Sequence, residues 1–235
     1  GEGGGQILRT SVSLSVLTKK PVKIYSIRAK RNNPGLRPQH HCALEIMKKM
    51  SNADTQGLSI GSTEIMFYPG LIQGGHFEYD IGTAGSMVLV FQTIILGLLH
   101  TKEPVTIRLH GGCDVKWAPS WDYFKYVFLP VINQMGVTVS ATLEKRGYYP
   151  KGGGIAEIHI KPMKNDLFPL CFDVFTPTKI NGIIHLGNLP DHIAKRMKHL
   201  IIKKLVNTKM NASIQTQTSE SLSPGVGITL WTQDE

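Results

Sequence analysis

Apolar and polar positions along this chain follow two periods, and each predicts its own element type. Apolar residues recur at helical spacing from Ile7 to Leu17 and from Ser86 to Leu99, which predicts two helices. Val22–Ile27 and Val105–Leu109 alternate at period two with β-branched residues and predict strands. Each strand is followed by a helix that opens at a proline, a residue suited to the first helical turn. The helix from Pro38 carries Ala43, Ile46, Met47 and Met50 at helical spacing; the one from Pro119 carries Phe124, Val127, Phe128, Val131 and Ile132. Further strands are predicted near Leu58–Ile60, Glu64–Tyr68, His76–Ile81, Thr138–Leu143 and Ile155–Ile160.

The series repeats. Lys20-Pro21-Val22 recurs as Glu103-Pro104-Val105, Pro38 as Pro119, and Tyr68-Pro69-Gly70 as Tyr149-Pro150-Lys151, in the same order. Three landmarks in register point to a duplicated unit. After Met163 the pattern changes. Phe172–Phe175, Gly182–Leu186, Ser213–Thr218 and Gly227–Trp231 predict strands. A helix capped by Pro190-Asp191 runs to Leu205. Helices alternating with strands give an α/β or α+β fold with helices covering sheets. The expected organisation is a large domain over 1–163, with repeats at about 1–81 and 82–163, and a smaller domain over 164–235. Both ends read as cut: a glycine-rich turn opens the chain without a strand before it, and Ile228–Trp231 has no following strand.

Composition narrows the setting. Apolar residues are 41% and charged residues 18%, a globular balance. The net charge of +9 suits a polyanionic partner. The apolar run Met87–Leu99 is shorter than the roughly 20 residues that span a bilayer, so no membrane partner is expected. The opening glycines do not resemble a signal peptide. Cys42, Cys113 and Cys171 form no CxxC pair, which fits a reducing, cytoplasmic setting.

Features present in only one repeat are candidates for function. Between its strand and its second helix the first repeat carries Arg28, Lys30, Arg31 and Arg37, then enters the helix with Pro38-Gln39-His40. The second repeat has His110-Gly111-Gly112-Cys113-Asp114 and then Pro119-Ser120-Trp121. A helix N-terminus offers unpaired N–H groups and partial positive charge, and Arg offers paired donors matched to phosphate oxygens. Arg28, Arg31, Gln39 and His40 therefore form either a phosphate pocket or a solvated basic loop. Arg9 aligns with Gln92, each on the first helix of its repeat. Either could face a polar cleft, or Gln92 could be a satisfied core amide. Glu2, the one acid of Gly1-Glu2-Gly3-Gly4-Gly5, suits a hard cation near phosphates or is simply exposed. Arg146–Gly154 reads equally as a tight turn or a ligand contact. The nine histidines show no metal-ligand spacing.

The segment Arg146-Gly147-Tyr148-Tyr149-Pro150-Lys151-Gly152-Gly153-Gly154-Ile155 resembles the motif of the RNA 3′-terminal phosphate cyclase family. So do Gly1 to Arg9, Ile27-Arg28, Pro34-Gly35-Leu36, Gln39-His40 and Gly82-Thr83-Ala84-Gly85-Ser86. The likeness is looser at Leu186-Gly187-Asn188-Leu189-Pro190 and Ser223-Pro224-Gly225. It implies repeated two-helix, four-stranded-sheet units with a small thioredoxin-like domain inserted before a final repeat. It also implies that ATP adenylylates a histidine, that AMP passes to an RNA 3′-phosphate, and that the 2′-OH closes a 2′,3′-cyclic phosphate. On this likeness Arg9, Arg28, Arg31, Gln39 and His40 hold RNA or ATP phosphates, Gln92 contacts the nucleotide, and Glu2 approaches Mg²⁺ or Mn²⁺. The nucleophilic histidine is expected beyond Glu235. A homo-oligomer is left open. The competing expectation is a non-catalytic cyclase-like ribosome-assembly factor. That branch departs from the family at the opening glycines and at Gln39-His40, segments intact here. An enolpyruvyl-transferase-like enzyme would show substrate residues that this chain lacks.

Overall fold

A computed structural model describes residues 4–171, 177–208 and 210–232. The fold is mixed α/β. Its first helix, α1 (Gly5–Thr18), buries Leu8, Val12 and Val16 on one face. It leads into β1 (Val22–Ile24), α2 (Pro38–Met50), β2 (Asp54–Gln56) and β3 (Ile65–Tyr68). These strands form an antiparallel sheet in the order β1-β3-β2. Next come β4 (Gly75–Asp80), α3 (Met87–Gly97), β5 (Val105–Gly111), a helical stretch from Trp121 to Gln134, β6 (Thr138–Lys145) and β7 (Gly154–Lys161). Their sheet runs β4-β5-β7-β6, with β4 and β5 parallel across the α3 connection. The order β5-β7-β6 matches β1-β3-β2.

Burial follows the two periods. In β5, Val105, Ile107 and Leu109 are buried while the residues between them are less so. In β7, Ala156, Ile158 and Ile160 face the same core. α3 is apolar nearly all round and is buried accordingly, packed against α1 and α2. Burying Phe91 or Ile94 contributes on the order of 2 kcal/mol each, so α3 serves as the common core element of the first 160 residues.

The remaining strands, β8 (Lys179–Gly187), β9 (Asn211–Ser219) and β10 (Gly225–Thr232), form a separate sheet in the order β10-β8-β9. α6 (His192–Leu205) covers it through its own small cluster of Ile184, Leu186, Ala194 and Ile214.

Four sequence readings are corrected. The strand expected near Leu58–Ile60 lies at Asp54–Gln56; Gly57 (φ 73°) and Gly61 (φ 87°) turn the intervening chain. The strand expected over Val22–Ile27 stops at Ile24. Ser26 and Arg28 both take φ 54°, and Ile27 donates its N–H to Thr63 outside the ladder. Asp191 does not cap α6 with its side chain, which instead accepts from the Thr218 hydroxyl at 3.2 Å. The helix read from Pro119 begins at Trp121, with the Ser120 hydroxyl accepting from the Tyr123 N–H. It comprises α4 (Trp121–Tyr123), a π turn over Phe124–Phe128 and α5 (Leu129–Gln134). The strand read at Phe172–Phe175 lies outside the described residues, as does Glu2.

Candidate functional site

Three helix starts meet at Gln39-His40. Both residues sit in the first turn of α2. A Cβ on Gly5, the first residue of α1, would overlap the His40 imidazole, so glycine is what lets α1 begin against that ring. On the other side the Gln39 side-chain oxygen accepts from the N–H of Ser86, the N-cap of α3, at 3.0 Å. A Cβ on Gly85 would come within 3.0 Å of Gln39 Cβ. All three helices exceed ten residues, so their positive ends converge on one place.

The cations gather there too. His40 is 3% exposed, and its pKa falls to about 4. Burial is the main cause, followed by the charges of Arg9, Arg28 and Arg37. The imidazole is therefore neutral near pH 7. Its Nδ1 accepts from the Arg37 N–H at 3.3 Å, so the ring proton sits on Nε2, which can donate. Arg28 is half-buried and held below its ordinary pKa by burial and then by Arg31 and Arg37; its Nε donates to the Asn33 carbonyl at 3.4 Å. Burial also lowers Arg9. Among the described residues no carboxylate forms an ion pair with Arg9, Arg28 or Arg37. Arg31 is exposed and joins the set through its charge on Arg28.

Arg9 also faces a second feature. It lines a cleft of about 540 Å³ together with Gln6, Thr10, Gln92, Leu96 and Phe128. Arg9 and Gln92 thus share one hollow, a juxtaposition that their alignment across the two repeats did not indicate. Gln92 is half-buried, and the walls beyond it are mostly apolar.

Sequence reasoning assigned no particular role to Gly5, whose lack of a side chain admits His40, or to Arg37, named only among the first repeat's cations, whose charge reaches His40. A second polar centre was also missed. It sits where the second repeat enters its helix. Arg146 donates to Asp114 at 2.9 Å, to Asp122 at 2.9 and 3.0 Å, and to Gln217 at 3.0 Å. Burial alone would lower this guanidinium, but the two aspartates outweigh it and hold it above its ordinary value. His185 lies 3.5 Å from Asp114 and hydrogen-bonds the Tyr148 hydroxyl through Nδ1 at 2.8 Å. Burial, the largest cause, keeps it neutral. Asp114, Asp122 and His185 come close enough together to hold a metal ion. Here Arg146 already supplies the positive charge, so the cluster is a closed structural network. The glycine run beside it packs backbone on backbone: a Cβ on Gly147 would overlap the Gly111 oxygen and the Gly154 nitrogen. The structural reading of Arg146–Gly154 accounts for these contacts.

The family model for RNA 3′-terminal phosphate cyclase matches residues 1–222. The chain belongs to the RNA 3′-terminal phosphate cyclase family. A relative from Archaeoglobus fulgidus is 46% identical over 233 residues, covering 98% of this chain and 70% of the relative. One from Pyrococcus furiosus is 42% identical over 235 residues, covering 100% and 69%. One from Pyrobaculum aerophilum is 41% identical over 232 residues, covering 98% and 67%. All three bear the name RNA 3′-terminal phosphate cyclase. The cyclase family is thus the setting for both centres: the open cationic one at Gln39-His40 and the closed one at Arg146. No helix among the described residues is long and apolar enough to cross a membrane.

Proposed function

We propose that the chain takes part in ATP-dependent cyclisation of an RNA 3′-terminal phosphate, and that the convergence at Gln39-His40 receives that phosphate. The observation that carries this reading is a gathering of cations around the buried, neutral His40, with no carboxylate among the described residues paired to Arg9, Arg28 or Arg37. Arg9, Arg28, Arg37 and the His40 Nε2 donor stand at three helix starts with no described carboxylate to neutralise them. Buried like charges are unfavourable alone and become favourable around a bound dianion. The reading leaves one Gln39 role open to ligand, the side-chain NH₂, because its oxygen is already engaged by Ser86.

On this reading ATP is the second substrate, and Gln92 with Arg9 contacts it in the shared cleft. An oxygen of the RNA 3′-phosphate attacks the phosphorus of an adenylyl group carried on a histidine nitrogen, and the P–N bond breaks. The 2′-OH then attacks the activated 3′-phosphorus, its proton is lost, the cyclic diester forms and AMP leaves. The residues at Gln39-His40 neutralise charge and hold the phosphate in line, which is the main demand of such transfers. Glu2, which the family resemblance assigns to a divalent cation, lies outside the described residues. The assembly-factor alternative has no comparable support, since the relatives carry the cyclase's name.

The test is binding. The protein is expected to prefer 3′-phosphorylated over 3′-hydroxyl RNA by at least about tenfold, and Arg28→Ala to remove most of that preference, as loss of a charge-assisted contact would. Equal affinities for the two ends in the wild type overturn the reading.

A further inference from the structure

Beside these cations an open concavity of about 760 Å³ is lined by Lys23, Tyr25, Ser26, Ala29, Pro34, Thr63 and Glu64. Lys23 and Glu64 pair with each other at 2.8 Å, so its charges cancel internally. What remains is an aromatic ring, a proline, an alanine and two hydroxyls. That lining suits a flat, neutral heterocycle with polar edges and offers little to a phosphate.

Tyr25 is 70% exposed and stands three residues before Arg28. Single exposed aromatics are common and mean little alone. This one is mounted on a rigid, strained support. Ile27 is 1% exposed and pins the segment into the core. It donates to Thr63 at 3.0 Å and accepts from the Gly35 N–H at 2.8 Å. On either side of it Ser26 and Arg28 both take φ 54°, a backbone state costly for residues with a side chain. The plug at Ile27 thus fixes Tyr25 and Arg28 on one short turn. Two other aromatics are at least as exposed, Trp117 and Tyr149, but Trp117 flanks Asp114 and Tyr149 adjoins the Arg146 centre, away from the cations.

We propose that Tyr25 and this concavity seat a nucleobase of the RNA one or a few nucleotides before its 3′ end, stacked on the phenol ring, while Arg28 and its neighbours take the terminal phosphate. Aromatic rings hold single-stranded RNA this way because every base has a stacking face. The site is sequence-tolerant and selects unpaired ends. The inference rests on the function proposed above and is separable from it.

The experiment measures affinity of the protein for 3′-phosphorylated single-stranded oligoribonucleotides. Each carries 2-aminopurine, or an abasic residue, at one of the last four positions. Tyr25→Ala is expected to weaken binding about 5- to 100-fold and to abolish quenching of 2-aminopurine at one position. Tyr25→Phe keeps the ring and is expected to stay within about twofold of wild type. An abasic residue at the quenched position should erase the difference between wild type and Tyr25→Ala. Wild-type affinity in Tyr25→Ala, or an undiminished difference with every abasic RNA, overturns the proposal. If 3′-phosphate and 3′-hydroxyl RNAs bind equally while the Tyr25 effects persist, the base site stands and the phosphate reading falls.

Discussion

The two loops that carry the chain from strand to helix, β1 to α2 and β5 to α4, occupy matching places and have opposite electrostatics. At the second, Asp114 and Asp122 are buried, and the protein answers them itself with Arg146, Gln217 and the neutral His185. At the first, Arg9, Arg28 and Arg37 press on a buried neutral His40, and among the described residues no carboxylate answers the arginines. Buried charge is costly at the second, and clustered like charge around a buried imidazole is unfavourable at the first. One cost is met within the fold, which marks a structural joint. The other is not met by any described carboxylate, which is what the proposed binding of a phosphate would answer. Polarity alone would rank the Arg146 network as the stronger candidate site; asking which charges remain unanswered reverses that order.

The largest test of this contrast removes Arg146. Arg146→Met leaves two buried aspartates unpaired and should destabilise the protein by about 3–5 kcal/mol in denaturant unfolding. Arg28→Ala should shift the same curve by less than about 0.5 kcal/mol in either direction, because it removes only like-charge repulsion and one long hydrogen bond. Comparable losses from both would erase the distinction.

A smaller effect lies in the acid range. His40 has a folded pKa near 4 against an unfolded value near 6.5. Between these values the unfolded chain binds the extra proton. The stability of the neutral form is therefore complete above about pH 6.5 and is lost as pH falls towards 4. The loss should reach about 3 kcal/mol, and His40→Gln should flatten that part of the stability–pH curve. Saturating 3′-phosphorylated RNA should raise the His40 pKa, seen as proton uptake on binding near pH 5.

The smallest effect concerns the joint between α2 and α3. Gln39→Ala deletes the acceptor of the Ser86 N–H and should cost about 1 kcal/mol in stability. Its effect on RNA affinity should be below that of Arg28→Ala.

Much of the fold was legible. The alternation in Val105–Leu109 and Ile155–Ile160 and the helical spacing in the Pro38 helix gave elements that the structure contains. The cations of the first repeat stood out because the second repeat lacks them. The strand readings that failed did so for local reasons. Strand β1 ends early because a buried Ile27 is worth a strained turn at Ser26 and Arg28, and β2 is a polar edge that no hydrophobic alternation announces. The Arg146 centre was unreadable because its partners lie 24 to 71 residues away in sequence.

By itself the sequence determined most element types, the matching order of the two halves and which strand-to-helix loop carries the clustered cations, because periodicity, proline placement and charge are properties of neighbouring residues. Only the tertiary structure decided which charges meet. Arg146 found its aspartates, and Arg28 and Arg37 of the first loop found a histidine and three helix starts but no described carboxylate. Burial and pairing depend on residues brought together across the chain, and in a low-dielectric interior the difference between an answered and an unanswered charge separates a joint from a site.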